Sequence, residues 1–266
     1  MSLHRAKRSV MNSRTILHYV PPEKRRALVK AAEKAKKDLH SLFFLVIYSV
    51  GSIQNKFQER KSGKERVGDY GRRWRKNLDR LIDAMQEDFL KEGILCVHVD
   101  PTRLDSMVAR CRLGVLQPRL RRLQMHLKLE SLFKEFDPIR YKEAEVLLLC
   151  GENVLVIALT HFAEISVSGG SAAELTLSSM AGVPVYLFCS EETLKKYRSR
   201  SVITSIIESG KRVVRGRNIF HTMEDTLGAI KRDIPRLRSH TPYAPLGELF
   251  VAYWEKKMAK GRLRKS

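Results

Sequence analysis

Asn153-Val154-Leu155-Val156-Ile157-Ala158-Leu159 leads into the turn Ser166-Val167-Ser168-Gly169-Gly170-Ser171, then Ala172-Ala173-Glu174-Leu175, and later Gly182-Val183-Pro184-Val185-Tyr186-Leu187-Phe188. The first run is short and continuously apolar, the pattern of a strand buried on both faces. The serines and glycines read as a turn, and residues 172 to 181 as a small-residue helix closed by Gly182. The last run is another strand. Strand, helix and strand in this order form the crossover unit of a parallel sheet, and such crossovers are right-handed.

The same alternation extends in both directions. Upstream, Leu42-Phe43-Phe44-Leu45-Val46-Ile47-Tyr48 is an apolar strand ending near Gly51. Residues 56 to 71 read as a polar loop. Trp74, Leu78, Leu81, Ile82, Met85 and Phe89 then form one stripe of a helix ended by Gly93. Ile94 to Val99 is a second strand, and residues 139 to 151 a helix. Downstream come a helix over 191 to 209, a short strand over 217 to 220, and helices over 223 to 234 and 246 to 258. Ahead of the first strand, Pro21 and Pro22 open a helix over 22 to 40. The expectation is an α/β fold: a Rossmann-like or flavodoxin-like parallel sheet of about five strands flanked by helices, with basic N- and C-terminal extensions. Residues 1–40 form a basic arm and helix. Residues 41–237 form a nucleotide-binding domain, with 102–136 as an insertion or long crossover. Residues 238–266 form a helix and basic tail.

The chain has 266 residues, and 50 Lys plus Arg against 29 Asp plus Glu give a net charge of +21. A field of that sign attracts polyanions, so RNA or DNA is an expected partner. Arg110, Arg112, Arg119, Arg121 and Arg122 lie in one basic segment, and Lys195, Lys196 and Arg198 begin another. No apolar run reaches the length of a membrane span, so no membrane is expected. Cys96, Cys111, Cys150 and Cys189 contain no Cys-x-x-Cys pair, and no His or carboxylate spacing suggests a metal. Neither a metal nor a cofactor is expected. Free thiols fit a cytoplasmic protein; the alternative is mitochondrial, if the acid-free, basic residues 1–22 are a transit peptide.

In an open parallel sheet, ligands bind beyond the carboxyl ends of the strands. Two small-residue turns fall at that edge: Gly51-Ser52-Ile53 after the first strand and Ser168-Gly169-Gly170-Ser171 after the third. Free N–H groups at the helix start favour an anion, and both serines add hydroxyls. Glu174 lies about one turn into that helix. It is either a carboxylate facing the crevice or a solvated acid favoured by the helix dipole. His161, near the end of the third strand, could touch the same site.

These residues resemble the nucleoside 2-deoxyribosyltransferase superfamily, and within it most of all the 2′-deoxynucleoside 5′-monophosphate N-glycosidases. The resemblance spans about residues 42 to 235. It is carried by Val50-Gly51-Ser52-Ile53, residues 153 to 159, Ser168 to Leu175, Gly182 to Val185 and Asn218 to Asp225. It implies that Glu174 is the nucleophile. Ser168 replaces the transferases' Asp, as in the glycosidases, where a Ser helps hold the phosphate. Glu145 stands where the glycosidases have an Asp, and Tyr48 lies nearest the family's first-strand tyrosine. The implied function is a nucleotide N-glycosidase or deoxyribosyltransferase, a hydrolase or transferase that is a homodimer. Ser52 and Ser168 would hold the 5′-phosphate. Two alternatives stand beside it. One is a non-catalytic nucleotide-fold protein acting as a nucleic-acid-binding or ribonucleoprotein subunit. The other is a nucleotide phosphoribohydrolase or nucleotide-sensing domain.

Overall fold

The computed structural model describes residues 16–17, 19–51, 67–101, 146–147, 153–162, 169–180, 182–198, 207–208 and 210–238. Five strands, β1 (Phe43–Val50), β2 (Ile94–Val99), β3 (Val154–His161), β4 (Val185–Phe188) and β5 (Ile219–Phe220), form one sheet. Their order is β2-β1-β3-β4-β5, and every pairing is parallel. This is the flavodoxin-like winding. The chain moves outward from β1 to β2, returns across β1 to β3, and then continues in the opposite direction. The reversal sets the carboxyl ends of β1 and β3 side by side, the place where sheets of this winding hold their ligand crevice.

β1 explains why its sequence carries no polar alternation. It pairs with β2 from Phe43↔Ile94 to Tyr48↔Val99, and with β3 from Phe44↔Val154 to Val50↔Thr160. All eight of its residues are buried. A strand with neighbours on both edges and helices on both faces has no side that tolerates water.

Two helical layers cover the sheet. On one face, α2 (Val67–Lys91) and α6 (Met223–Leu237) bury Trp74, Leu78, Ile82, Phe89, Leu227, Ile230 and Ile234 against Leu45, Ile47, Leu155, Ile157 and Leu159. On the other, α3 (Gly169–Met180) places Leu175, and α4 (Glu191–Arg198) places Leu194, against Val46, Tyr48, Ala158 and Leu187. The first helix, α1 (Pro22–Lys34), ties the two layers together. Its Leu28 and Ala32 pack in the α3-side core, while Lys24 pairs with Asp79 of α2. Asp79 also bonds Nδ1 of the buried His98 at 2.7 Å. Burial alone would raise the Asp79 pKa. The hydrogen bonds and charges of His98 and Lys24 outweigh that and hold its carboxyl far below the usual range.

Several boundaries differ from the sequence expectation, for local reasons. The first helix stops at Lys34 rather than 40, because Lys36 turns left-handed (φ 53°) and Asp38 accepts a hydrogen bond from the His40 N–H. That side-chain turn offers the backbone an alternative to helix. α2 begins at Val67, so the end of the expected loop at 56 to 71 is helical. Of the helix expected over 191 to 209, Glu191–Arg198 and residues 207 and 208 are helical, and 199–206 and 209 lie outside the described residues; a short α5 (Lys211–Val214) closes at Arg215, φ 51°. Gly93 and Gly182 stop α2 and α3 at φ 72° and 70°, left-handed positions that a glycine occupies without strain. Cys96 and Cys189 are buried thiols. Among the described residues no helix is long and apolar enough to cross a membrane.

Candidate functional site

α3 starts at Gly169, three residues earlier than its composition suggests, so its first turn contains Gly169, Gly170 and Ser171 and no acid. The orphan N–H groups of that turn stand beyond the end of β3. Ser171 is buried at 3 % exposure. Glu174 therefore lies in the second turn, and its carboxylate turns inward toward the sheet. It is 4 % exposed, and its Oε1 accepts a 2.8 Å hydrogen bond from the Tyr48 hydroxyl. The idea of a solvated acid balancing the helix dipole does not survive this geometry. One turn further on, the Ser178 hydroxyl bonds back to the Glu174 carbonyl at 2.7 Å.

Tyr48 is fully buried in β1, three residues before Gly51. Its hydroxyl links the first strand to the helix after the third. Carboxylate and phenol are 126 residues apart in sequence. They meet because β1 and β3 are hydrogen-bonded neighbours and α3 packs over both β1 and β4.

Gly51 has a different role from a simple ligand-approach glycine. A Cβ there would stand 2.8 Å from Arg75 Nη2 and 3.1 Å from Trp74 Cζ2. The missing side chain makes room for a guanidinium. Arg75 of α2 is 1 % exposed. Its Nε donates to Ser49 Oγ at 3.3 Å and lies 3.4 Å from Asp100 Oδ1, just past the end of β2. A buried cation thus sits under the first turn of the crevice, on the opposite face of the sheet from Glu174. Sequence reasoning missed it. The available signal was an arginine adjoining Trp74 at the start of the apolar stripe.

His161 follows Leu155, Ile157 and Leu159 on the α2 face. It stacks on Phe188 at 4.2 Å, and Trp74 lies 5.9 Å from it. The sheet separates it from Glu174, so the expectation that it touches the same site is corrected. Burial pushes its pKa down to about 4. The sign follows directly. The unfolded imidazole takes a proton near its ordinary value of about 6.5, and the folded one refuses it until about pH 4. Stability contributed by the neutral ring is therefore complete above about 6.5 and drains away toward pH 4. Thermal melting across that window should show a smaller acid-induced drop in His161→Phe than in the unaltered chain; equal slopes would contradict the buried neutral ring.

Of the other expected site residues, Lys195 and Lys196 are exposed on α4, and Lys195 pairs with Glu191 at 3.1 Å. Ser52, Ile53, Ser168, Glu145, Arg110, Arg112, Arg119, Arg121 and Arg122, and the side chain of Arg198, lie outside the described residues. Among the described residues no group of three or more His, Cys, Asp or Glu side chains could hold a metal. The chain matches no protein-family model, no curated protein and no solved structure.

Proposed function

We propose that the chain is a nucleotide N-glycosidase or deoxyribosyltransferase that uses Glu174 to break the sugar–base bond of a (deoxy)nucleoside 5′-monophosphate. The observation that carries the reading is the buried Glu174 carboxylate, oriented by the Tyr48 hydroxyl beside the switch point of the sheet. Taking an ionised carboxylate out of water is costly, so a fold retains one in such a place for a reason beyond packing. Its position beside the glycine-opened end of α3 suits a substrate whose phosphate meets that helix start and whose sugar reaches the acid.

The chemistry follows retaining glycoside cleavage. A Glu174 oxygen attacks the anomeric carbon, the carbon–nitrogen bond breaks, and the base departs with its electron pair and takes up a proton. Water then cleaves the glycosyl ester and frees Glu174; in a transferase a second base does so. Glu145 would orient the sugar or the nucleophile, Ser52 and Ser168 would hold the phosphate, and a homodimer would be the assembly.

The test is incubation of the full chain with the four deoxynucleoside 5′-monophosphates, followed by chromatography for free base. Base release supports the proposal. If none of the four, nor the corresponding ribonucleotides, yields free base, the glycosidase reading fails. The net charge of +21 favours a second reading, a nucleotide fold acting as a nucleic-acid-binding subunit. Tight, salt-sensitive binding of RNA or DNA with no base release would select it.

A further inference from the structure

At the far side of the sheet from β2, the chain makes a tight corner before β5. A Cβ at Gly210 would stand 2.9 Å from the Ile207 carbonyl and 3.2 Å from Asn218 Nδ2. Asn218, fully buried, donates to the carbonyls of both Val185 and Ile207, at 3.1 and 2.6 Å. That bracket brings α5 against β5 and leaves a cleft of about 250 Å³ between α4, α5 and the sheet edge. Leu194 and Ile219, each 5 % exposed, are its apolar lining, and Lys211, Arg217, His221 and Glu191 are its polar lining.

Three nitrogen-bearing side chains thus meet here: Lys211 comes from α5, and Arg217 and His221 flank β5. Arg217 is pinned: its Nε donates to the Ile219 carbonyl at 2.7 Å, and its guanidinium lies over the Phe220 ring at 5.2 Å. The His221 ring is turned by its Nδ1, 3.3 Å from the Cys189 carbonyl, which leaves Nε2 to other partners. Among the described residues neither Lys211 nor Arg217 has an acidic partner. The one acid of the cleft, Glu191, is engaged by Lys195 at 3.1 Å. The volume lies below the roughly 300 Å³ at which drug-sized pockets begin, so the occupant is small.

We propose that this cleft is a phosphate-binding site, taking either the monoester of a small metabolite or one backbone phosphate of a nucleic acid. The fixed guanidinium and the ammonium supply charge-assisted donors to the phosphate oxygens, and Leu194 and Ile219 receive the adjoining sugar or alkyl part. The site does not depend on Glu174.

Calorimetric titration of the full chain at low salt with inorganic phosphate, a deoxynucleoside 5′-monophosphate and a short oligothymidylate tests it. Lys211→Gln should weaken binding about tenfold to a hundredfold, the scale of one lost charge-assisted hydrogen bond. Lys30→Gln, at an exposed lysine of α1, should change it little. Glu174→Gln should leave it intact, which separates the cleft from the glycosidase reading. In the unmutated chain the His221 ring resonance, assigned by its absence in His221→Gln, should shift as ligand is added. Binding counts for the cleft only where Lys211→Gln weakens it: such binding of the monophosphate alone identifies a metabolite site, of the oligomer alone a nucleic-acid contact, and of both a shared phosphate site, whereas binding that Lys211→Gln leaves unchanged overturns the proposal. No saturable binding of any of the three, a stationary His221 signal, or an equal loss in Lys30→Gln overturns the proposal.

Discussion

If the proposed glycosidase reading holds, Glu174→Gln should lower base release from deoxynucleoside monophosphates by about 10⁴-fold or more, the scale at which single members of a covalent catalytic unit are lost. The amide has the shape of the acid and still offers an oxygen to the Tyr48 hydroxyl, so the packing around it is preserved. What disappears is the anionic oxygen able to form an ester with the anomeric carbon. Stability should move the other way or stay level, because a buried carboxylate carries a desolvation cost that a neutral amide avoids. Chemical denaturation of both forms, run beside the activity assay, therefore gives a paired signature: turnover gone, midpoint unchanged or raised. A structural carboxylate would give the reverse pattern, with Glu174→Gln losing stability and retaining turnover. Tyr48→Phe is the milder companion. It removes one donor and leaves the nucleophile, so kcat should fall by about 10- to 100-fold, the size of one hydrogen bond to a charged group, with KM little changed. Full activity in Glu174→Gln ends the glycosidase reading.

How much of this was legible in the chain depends on the range of the interaction. β1 could be read because one physical fact, burial on every side, writes itself into consecutive residues from Phe43 to Val50. The stripe of α2 could be read for a similar reason, since Trp74, Leu78, Ile82 and Phe89 recur with the helical period. Gly93 and Gly182 marked helix ends because a positive φ selects glycine locally. The start of α3 was harder. Glycine is a poor helix former, so composition argues for a start at 172, yet the first-turn N–H groups have no intrahelical acceptors and the turn tolerates glycine at 169 and 170. The same difficulty governs the site. Nothing in an apolar strand announces that the Tyr48 hydroxyl needs an acceptor, and nothing near Glu174 announces a donor 126 positions away. Their meeting is a property of strand order, which local patterning does not encode. His161 shows the opposite error: its place near the end of the third strand suggested a shared site, while strand alternation sends it to the other face. Arg75 was hidden because a helix read by its apolar residues passes over a charge whose burial makes sense only beside Ser49 and Asp100.

That arginine carries the largest expected effect on stability. Arg75→Met should destabilise the fold by about 3–5 kcal/mol, the cost of stranding the other member of a buried ion pair. The methionine fills much of the same space, so the loss reports charge rather than cavity. It falls on Asp100, which is 9 % exposed and faces the Arg75 Nε at 3.4 Å, and on the Ser49 hydroxyl. Adding Asp100→Leu to Arg75→Met should recover most of the deficit, because removing both charges leaves nothing buried unpaired. Gly51 supplies an independent check on the same contact. In the unaltered chain Gly51→Ala drives a methyl to within 2.8 Å of Arg75 Nη2 and 3.1 Å of Trp74, and either the guanidinium or the ring must shift. In the Arg75→Met background the 2.8 Å contact is gone and only the Trp74 ring at 3.1 Å remains to give way, so the alanine should cost distinctly less. Urea unfolding of the four chains in that cycle measures the coupling directly, and a value of about 1 kcal/mol or more is expected for groups in contact. Additive effects would mean that Gly51 is needed for something other than Arg75. Arg75→Met within about 1 kcal/mol of the unaltered chain would mean that the guanidinium is not held as an ion pair under the crevice.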